Sequence, residues 1–139
     1  MSLPEPPLTG RCQCGAVAYV VTGRPETIYV CHCRECQRQS ASAFGISVAV
    51  PKAHFRLERG ETRCWSRTAD SGRVVHCHFC PVCGSRLWHE GLHPDALTVK
   101  GGSLDQPVDL GDAIHIWTSR KLPGVVIPDG ATQFPEEPD

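Results

Sequence analysis

Cysteine constrains the folding of this chain more than any other residue, because nine cysteines lie within 139 residues. The number is odd, so the cysteines cannot all pair in intrachain disulfides. Seven of the nine fall in three clusters with C-x-C or C-x-x-C spacing, which is too short for ordinary structural disulfides. Thiolates at these spacings converge readily on one metal ion. The sequence therefore predicts that the cysteines bind zinc.

The rest of the chain has the composition of one globular domain without an export signal. Hydrophobic residues make up 40% of the sequence and charged residues 21%, which is ordinary for a folded protein. The N-terminal segment lacks the basic and apolar parts of a secretory signal, and no segment approaches the roughly 18 apolar residues of a membrane span. We expect a cytoplasmic protein with reduced thiols and no membrane partner.

The charge balance argues against nucleic acid as a partner. The formal net charge is −1, so no overall positive field attracts phosphate. Six basic and three acidic residues lie between Lys52 and Arg73, but the simplest interpretation of this local excess is a solvated strand face. Phe55 and Trp65 are the aromatic residues within it, fewer than single-strand binding usually requires.

Short runs of alternating hydrophobicity, separated by Gly and Pro, predict an all-β fold. In the first strand, Val17, Tyr19 and Val21 form one apolar face. The segment Arg34–Ser40 fits a single helical turn, and the Gly-containing loop between His54–Glu58 and Thr62–Arg67 predicts a hairpin. The predicted strands are 16–22, 27–30, 43–50, 54–58, 62–67, 73–79, 86–90, 96–100 and 113–117.

Composition divides the chain into three parts. Residues 1–9 are predicted to be an extended lead-in, and residues 10–122 form the zinc-binding β domain. The tail, residues 123–139, is rich in Pro and acidic residues and is expected to be an irregular strap or a partly free end.

The cysteine clusters divide into two metal sites by ligand number. A structural zinc has four protein ligands, whereas a catalytic zinc has three and an open position. Two pairs and one triplet give this division. The predicted structural site contains Cys12, Cys14, Cys80 and Cys83, and the predicted second site contains Cys31, Cys33 and Cys36.

Spacing alone leaves a second interpretation of the triplet open. It could form another closed site with a fourth ligand from a neighbouring strand. The candidates for this ligand are Cys64, Cys77, His76 and His78. His32 lies between two ligands and is poorly placed to turn back onto the same ion. Lone histidines such as His115 have no partner visible in the sequence.

Four motifs in order resemble the glutathione-dependent formaldehyde-activating enzyme family, also called the GFA or centromere protein V domain family. They are G-R-C-Q-C-G-A-V, C-H-C-R-E-C-Q, F-C-P-V-C-G-S-R-L and G-S-L-D, and the resemblance runs from Gly10 to about Trp117. It implies a small zinc-stapled β-tent of two to three antiparallel sheets, with two zinc ions per chain. It also implies that the three-cysteine zinc is the more labile and lies where glutathione binds.

The leading hypothesis is therefore a zinc-dependent carbon–sulfur lyase that acts on adducts of a thiol with a small aldehyde, such as S-hydroxymethylglutathione. Cys31, Cys33 and Cys36 would form its catalytic centre, and Arg34 and Arg38 would receive substrate carboxylates. The alternative is a non-catalytic zinc-stabilised module that binds a protein or nucleic acid. A methionine sulfoxide reductase B-like enzyme fits less well, because it uses two C-x-x-C pairs and a separate nucleophilic thiol.

Overall fold

The computed structural model describes residues 3–138, and within them the chain forms ten strands and one α-helix. Three 3-10 turns lie at Lys52–His54, Gly101–Ser103 and Thr118–Arg120. The strands and helix are β1 (Leu8–Arg11), β2 (Ala18–Val21), β3 (Thr27–Cys31), α1 (Arg34–Ser40), β4 (Gly45–Pro51), β5 (Phe55–Arg59), β6 (Arg63–Thr68), β7 (Val74–Phe79), β8 (Arg86–His93), β9 (Ala96–Lys100) and β10 (Ile114–Ile116).

The strands form two sheets, which confirms the predicted all-β class. The small sheet has the order β1-β2-β5, and the large sheet has the order β10-β3-β4-β9-β8-β7-β6. All neighbours are antiparallel except β10 and β3, which are parallel. The chain reaches β10 only after crossing the whole large sheet, and this long connection permits a parallel pair.

One face of each sheet packs into a shared core. The predicted apolar face of β2 is confirmed, because Tyr19 and Val21 are buried together with Val17 just before the strand. They meet alternate residues of the large sheet, such as Val48 and Val99. Each buried aliphatic side chain of this kind contributes about 1.5–3 kcal/mol. Cys31, at the end of β3, pairs with Gly45 on the opposite face of the large sheet.

The predicted hairpin around Gly60 is wrong. β5 pairs with β2 in the small sheet, whereas β6 pairs with β7 at the end of the large sheet. Aromatic packing explains the difference, since the Phe55 ring lies 5.3 Å from Tyr19 and 4.7 Å from Trp88. This burial holds β5 on the small sheet, and the chain changes sheets at Gly60.

The two ends of the chain are more ordered than their composition suggests. Within the expected lead-in, Leu8 is fully buried and pairs with Val21; residues 1 and 2 lie outside the described part. The tail forms the irregular strap over residues 123–138, with Gln133 bridging to His115 and Trp117 Nε1 donating to Glu137 at 2.7 Å. Residue 139 lies outside the described part.

Among residues 3–138, no helix is long and apolar enough to span a membrane.

Gly60 gives a test of the sheet crossing. Its φ is +82°, and a Cβ there would clash with the carbonyl oxygen of Ala16, whereas Gly72 has φ +89° and open space around it. Both substitutions by Ala carry the backbone cost of positive φ, about 1 kcal/mol. We expect G60A to lose about 1–3 kcal/mol more than G72A in the free energy of unfolding, because the clash is with backbone. Urea unfolding of the metal-loaded variants measures this, and equal losses would contradict the account.

Candidate metal centres

The first candidate centre, the four-cysteine cluster, joins the two sheets. Cys12 and Cys14 lie between β1 and β2, and Cys80 and Cys83 lie between β7 and β8. All four sulfurs lie within 4.8 Å of one another. Cys14 Sγ is 3.7 Å from Cys12 Sγ and 3.8 Å from Cys80 Sγ.

These distances fit a tetrahedral metal site rather than a disulfide. With metal–sulfur bonds of about 2.3 Å, the sulfurs of a tetrahedron are about 3.8 Å apart. A disulfide would bring two sulfurs to about 2.05 Å. All nine cysteines lie in the described residues, and none of them is in a disulfide. The predicted set of four is therefore assembled in the geometry that a metal requires.

Backbone amides surround the sulfurs of this cluster. Val17 N–H donates to Cys12 Sγ at 3.2 Å, and the amides of Val82 and Cys83 approach Cys80 Sγ at 3.4 and 3.5 Å. N–H donors stabilise a thiolate. Each of these amides lies within five residues of the cysteine that it contacts. The local turns therefore orient the sulfurs.

Ser85 links the two halves of the four-cysteine cluster, a role that the cysteine spacing did not predict. Its Oγ accepts from the Gln13 amide at 3.0 Å and lies 3.2 Å from Cys83 Sγ. Hydrogen bonds from Ser85 are the largest cause that lowers the pKa of the Cys83 thiol, to about 5. Its place directly after the Cys83-Gly84 turn was the available signal.

The second candidate centre, the three-cysteine cluster, lies at the start of the helix. Cys31 ends β3, Cys33 is the N-cap of α1, and Cys36 lies in its first turn, with its amide donating to Cys33 Sγ at 3.3 Å. The three sulfurs lie within 4.8 Å of one another. Hydrogen bonding from Cys31, and then from Cys36, holds the pKa of Cys33 far below its ordinary value.

None of the four alternative ligands joins this cluster. Within residues 3–138, no fourth His, Cys, Asp or Glu completes the group. His76 Nδ1 lies 2.7 Å from Ser66 Oγ, and His78 Nε2 lies 2.9 Å from Glu90 Oε1. Cys77 is buried in β7, and the other candidate, Cys64, is exposed on β6. Within the described residues, this cluster therefore has three cysteine sulfurs that could hold a metal ion.

His32, between two of the cysteines, has a partner that the sequence did not reveal. Its side chain is fully buried, and Nε2 lies 2.9 Å from His115 Nδ1 in β10. Burial is the main cause that lowers the pKa of both imidazoles. The pair ties the cysteine segment to the parallel strand β10 through a contact across 83 residues.

A cleft of about 820 Å³, the central cleft, reaches from Cys12 and Cys83 to the end of α1 and Gly45. A Cβ on Gly45 would lie 3.1 Å from Cys36 Cβ and 3.3 Å from its sulfur, so a side chain here would press on the three-cysteine cluster. The volume is ample for a small peptide-like thiol.

The cations in the central cleft differ from those predicted. Arg34 donates to Gln37 Oε1 at 2.6 Å, and Arg38 is 68% exposed beside Glu35; neither lines the cleft. Its lining cations are Arg11, Arg86 and Lys100. The alternation of β9 places Lys100 on the same face as Thr98. The sequence could not show that this face lies near the cysteines, because that depends on the pairing of β9 with β4.

Comparison with known proteins agrees with the motifs. The family model described as "glutathione-dependent formaldehyde-activating enzyme" matches residues 7–120, which confirms the resemblance. The solved structure of a Rhodobacter sphaeroides protein aligns with a TM-score of 0.61 and 24% identity, and the match covers 77% of this chain and 98% of that one. At this identity the structural likeness supports the fold alone.

The two clusters should differ in their effect on stability. Serine at Cys80 breaks the junction between the sheets, so we expect C80S to lose about 5 kcal/mol or more of unfolding free energy, because structural zinc contributes strongly to small folds. C36S should lose only about 1–2 kcal/mol, since its cluster lies within one segment. Urea unfolding, with metal content measured by elemental analysis, checks the difference. Comparable losses would contradict the assignment of the junction.

Proposed function

Because the chain belongs to the glutathione-dependent formaldehyde-activating enzyme family, we propose that it is a zinc-dependent carbon–sulfur lyase that makes and breaks adducts of a thiol with a small aldehyde. Glutathione is the proposed thiol, and S-hydroxymethylglutathione is the proposed adduct. The observation that carries this proposal is a cluster of three thiols, without a fourth protein ligand in the described residues, beside a cleft of about 820 Å³.

Zinc is the proposed metal at both centres. Sulfur donors favour zinc among common metal ions, and the spacing of the four-cysteine sulfurs fits its tetrahedral geometry. When bound at the three-cysteine cluster, zinc would lower the pKa of a substrate thiol and fix the position of its sulfur. Reduced cysteines imply a reducing compartment, so a cytoplasmic location is proposed as well.

The proposed reaction joins sulfur to the aldehyde carbon. The sulfur lone pair forms the C–S bond and the carbonyl π pair moves to oxygen. That oxygen takes up the proton that the thiol has released and becomes the hydroxyl of the adduct. The reverse reaction returns the proton, breaks the C–S bond and releases aldehyde and thiol. Cys31, Cys33 and Cys36 hold the reacting centre, and Gly45 leaves space beside Cys36.

The carboxylates of a peptide-like thiol need cationic partners. Arg11 and Arg86 lie in the lining of the central cleft and are proposed for this role. Arg34 and Arg38 remain proposed contacts only for a substrate that extends over α1, because their side chains lie outside the cleft lining.

Cys33 provides the direct test. We expect C33S to retain metal at the four-cysteine cluster, to lose the second metal ion, and to lose at least tenfold of the thiol–aldehyde exchange rate. Exchange between formaldehyde, glutathione and the adduct is measured by NMR above the uncatalysed background. C64S is the matched control, because Cys64 is exposed and lies outside both clusters; it should behave as wild type.

Full exchange activity in C33S would refute the catalytic role of the three-cysteine cluster. One tightly held metal ion in the wild type, with no glutathione binding, would instead favour the non-catalytic binding module.

A further inference from the structure

We propose that Lys100 is the counter-charge of the three-cysteine centre and enables that centre to accept an additional, anionic sulfur ligand. This inference rests on the proposed function in one respect: it assumes that a divalent metal and a thiol bind at the three-cysteine centre. Lys100 is therefore proposed as a positioning residue. Its positive charge would act on the metal ligands and not on the reacting atoms directly.

The sheet register places Lys100 on the face of the cysteines. Cys31 pairs with Gly45, and Lys100 pairs with Ser47, two residues further along β4. Alternate residues of a strand share a face, so Gly45 and Ser47 present the two partners to the same side. Lys100 and Gly45 both line the central cleft, and Gly45 in turn lies against Cys36.

Lys100 is an unusual lysine because it is buried without a carboxylate. It is 8% exposed, and Nζ donates to Ser47 Oγ at 3.2 Å. None of the ion pairs among residues 3–138 includes it. A buried charge without an opposite charge is costly, and such a group is retained where a counter-ion meets it.

The three cysteines supply that opposite charge. Burial lowers the pKa of Lys100, and the charges of Cys36, Cys31 and Cys33, in that order, oppose the shift. The other two cations of the cleft, proposed above as partners of substrate carboxylates, contact neutral groups of the chain. Arg11 lies against the Cys12 and Gln13 carbonyls, and Arg86 stacks over Trp65 at 5.6 Å.

A count of formal charges shows what Lys100 would contribute. A divalent metal with three thiolates carries −1, and a substrate thiolate would bring the centre to −2. An ammonium beside it restores −1. Because a partly enclosed cleft solvates charge poorly, the ammonium lowers the cost of the fourth thiolate. Two of its three N–H groups are not used by Ser47, so they can face the incoming ligand.

Substitution of Lys100 separates this role from a structural one. K100M removes a buried charge and keeps an apolar stem of similar size, so the fold should be as stable as the wild type or more so. K100Q also removes the charge but keeps a hydrogen-bond donor for Ser47. K52M is the matched control, because Lys52 is exposed and pairs with Glu90 at 3.2 Å, outside the central cleft.

The experiment is a titration of the metal-free three-cysteine centre with Co²⁺, followed by 2-mercaptoethanol, monitored by the sulfur-to-cobalt absorption bands. We expect both K100M and K100Q to lower the affinity of this centre for Co²⁺ and for the added thiol by about tenfold or more. The four-cysteine centre should keep its affinity, and K52M should match wild type. Unchanged affinities in K100M, or wild-type affinities in K100Q, would overturn the proposal.

Failure of the lyase assignment gives a different result. If the wild type binds 2-mercaptoethanol and K100M does not, while glutathione–formaldehyde exchange is absent, then the counter-charge role stands and the lyase proposal fails. A wild type that holds Co²⁺ at three cysteines but binds no thiol would overturn both.

Discussion

The convergence of four sulfurs between the two sheets is the interaction on which the rest of the structure depends. Cys12 and Cys14 follow a strand of the small sheet, and Cys80 and Cys83 follow a strand of the large sheet. Across this junction, Cys14 Sγ contacts Cys80 Sγ, and the two residues are 66 positions apart in the sequence. A metal held there would fix the two sheets at one point. The apolar core then closes between them. A domain of this size buries limited apolar surface, so a strong local link has a large effect on its stability.

The two cysteine clusters lie in different parts of the fold. One face of the large sheet packs into the core, and the register of β3, β4 and β9 places Cys31 and Lys100 on the opposite face. Cys12 and Cys83 of the first cluster line the central cleft, and Gly45, which lies against Cys36 of the second cluster, lines it as well. The junction can thus hold the cleft walls in place while the second cluster exchanges its ligands. That division is the physical basis of the proposed lyase function.

Short-range features of the site were predictable. C-x-C and C-x-x-C spacing limits which sulfurs can meet, and the structure assembles the two groups that ligand number predicts. Strand positions were predictable where alternation is clear, as in β2. The hairpin prediction failed because the pairing of β5 depends on Phe55 packing against Tyr19 and Trp88, which are distant in sequence. β1 was missed because its one buried apolar side chain, Leu8, follows several prolines and leaves too short a pattern.

The sequence by itself determined the ligand chemistry, the family and the all-β class, because these depend on residue type and on spacing over a few positions. Only the tertiary structure decided which charges and hydrogen bonds surround the sulfurs. The His32–His115 pair and Lys100 come from separate strands, and the sheet register brings them to the three-cysteine cluster. Long-range register depends on the packing of the whole core, so no local pattern could have placed them.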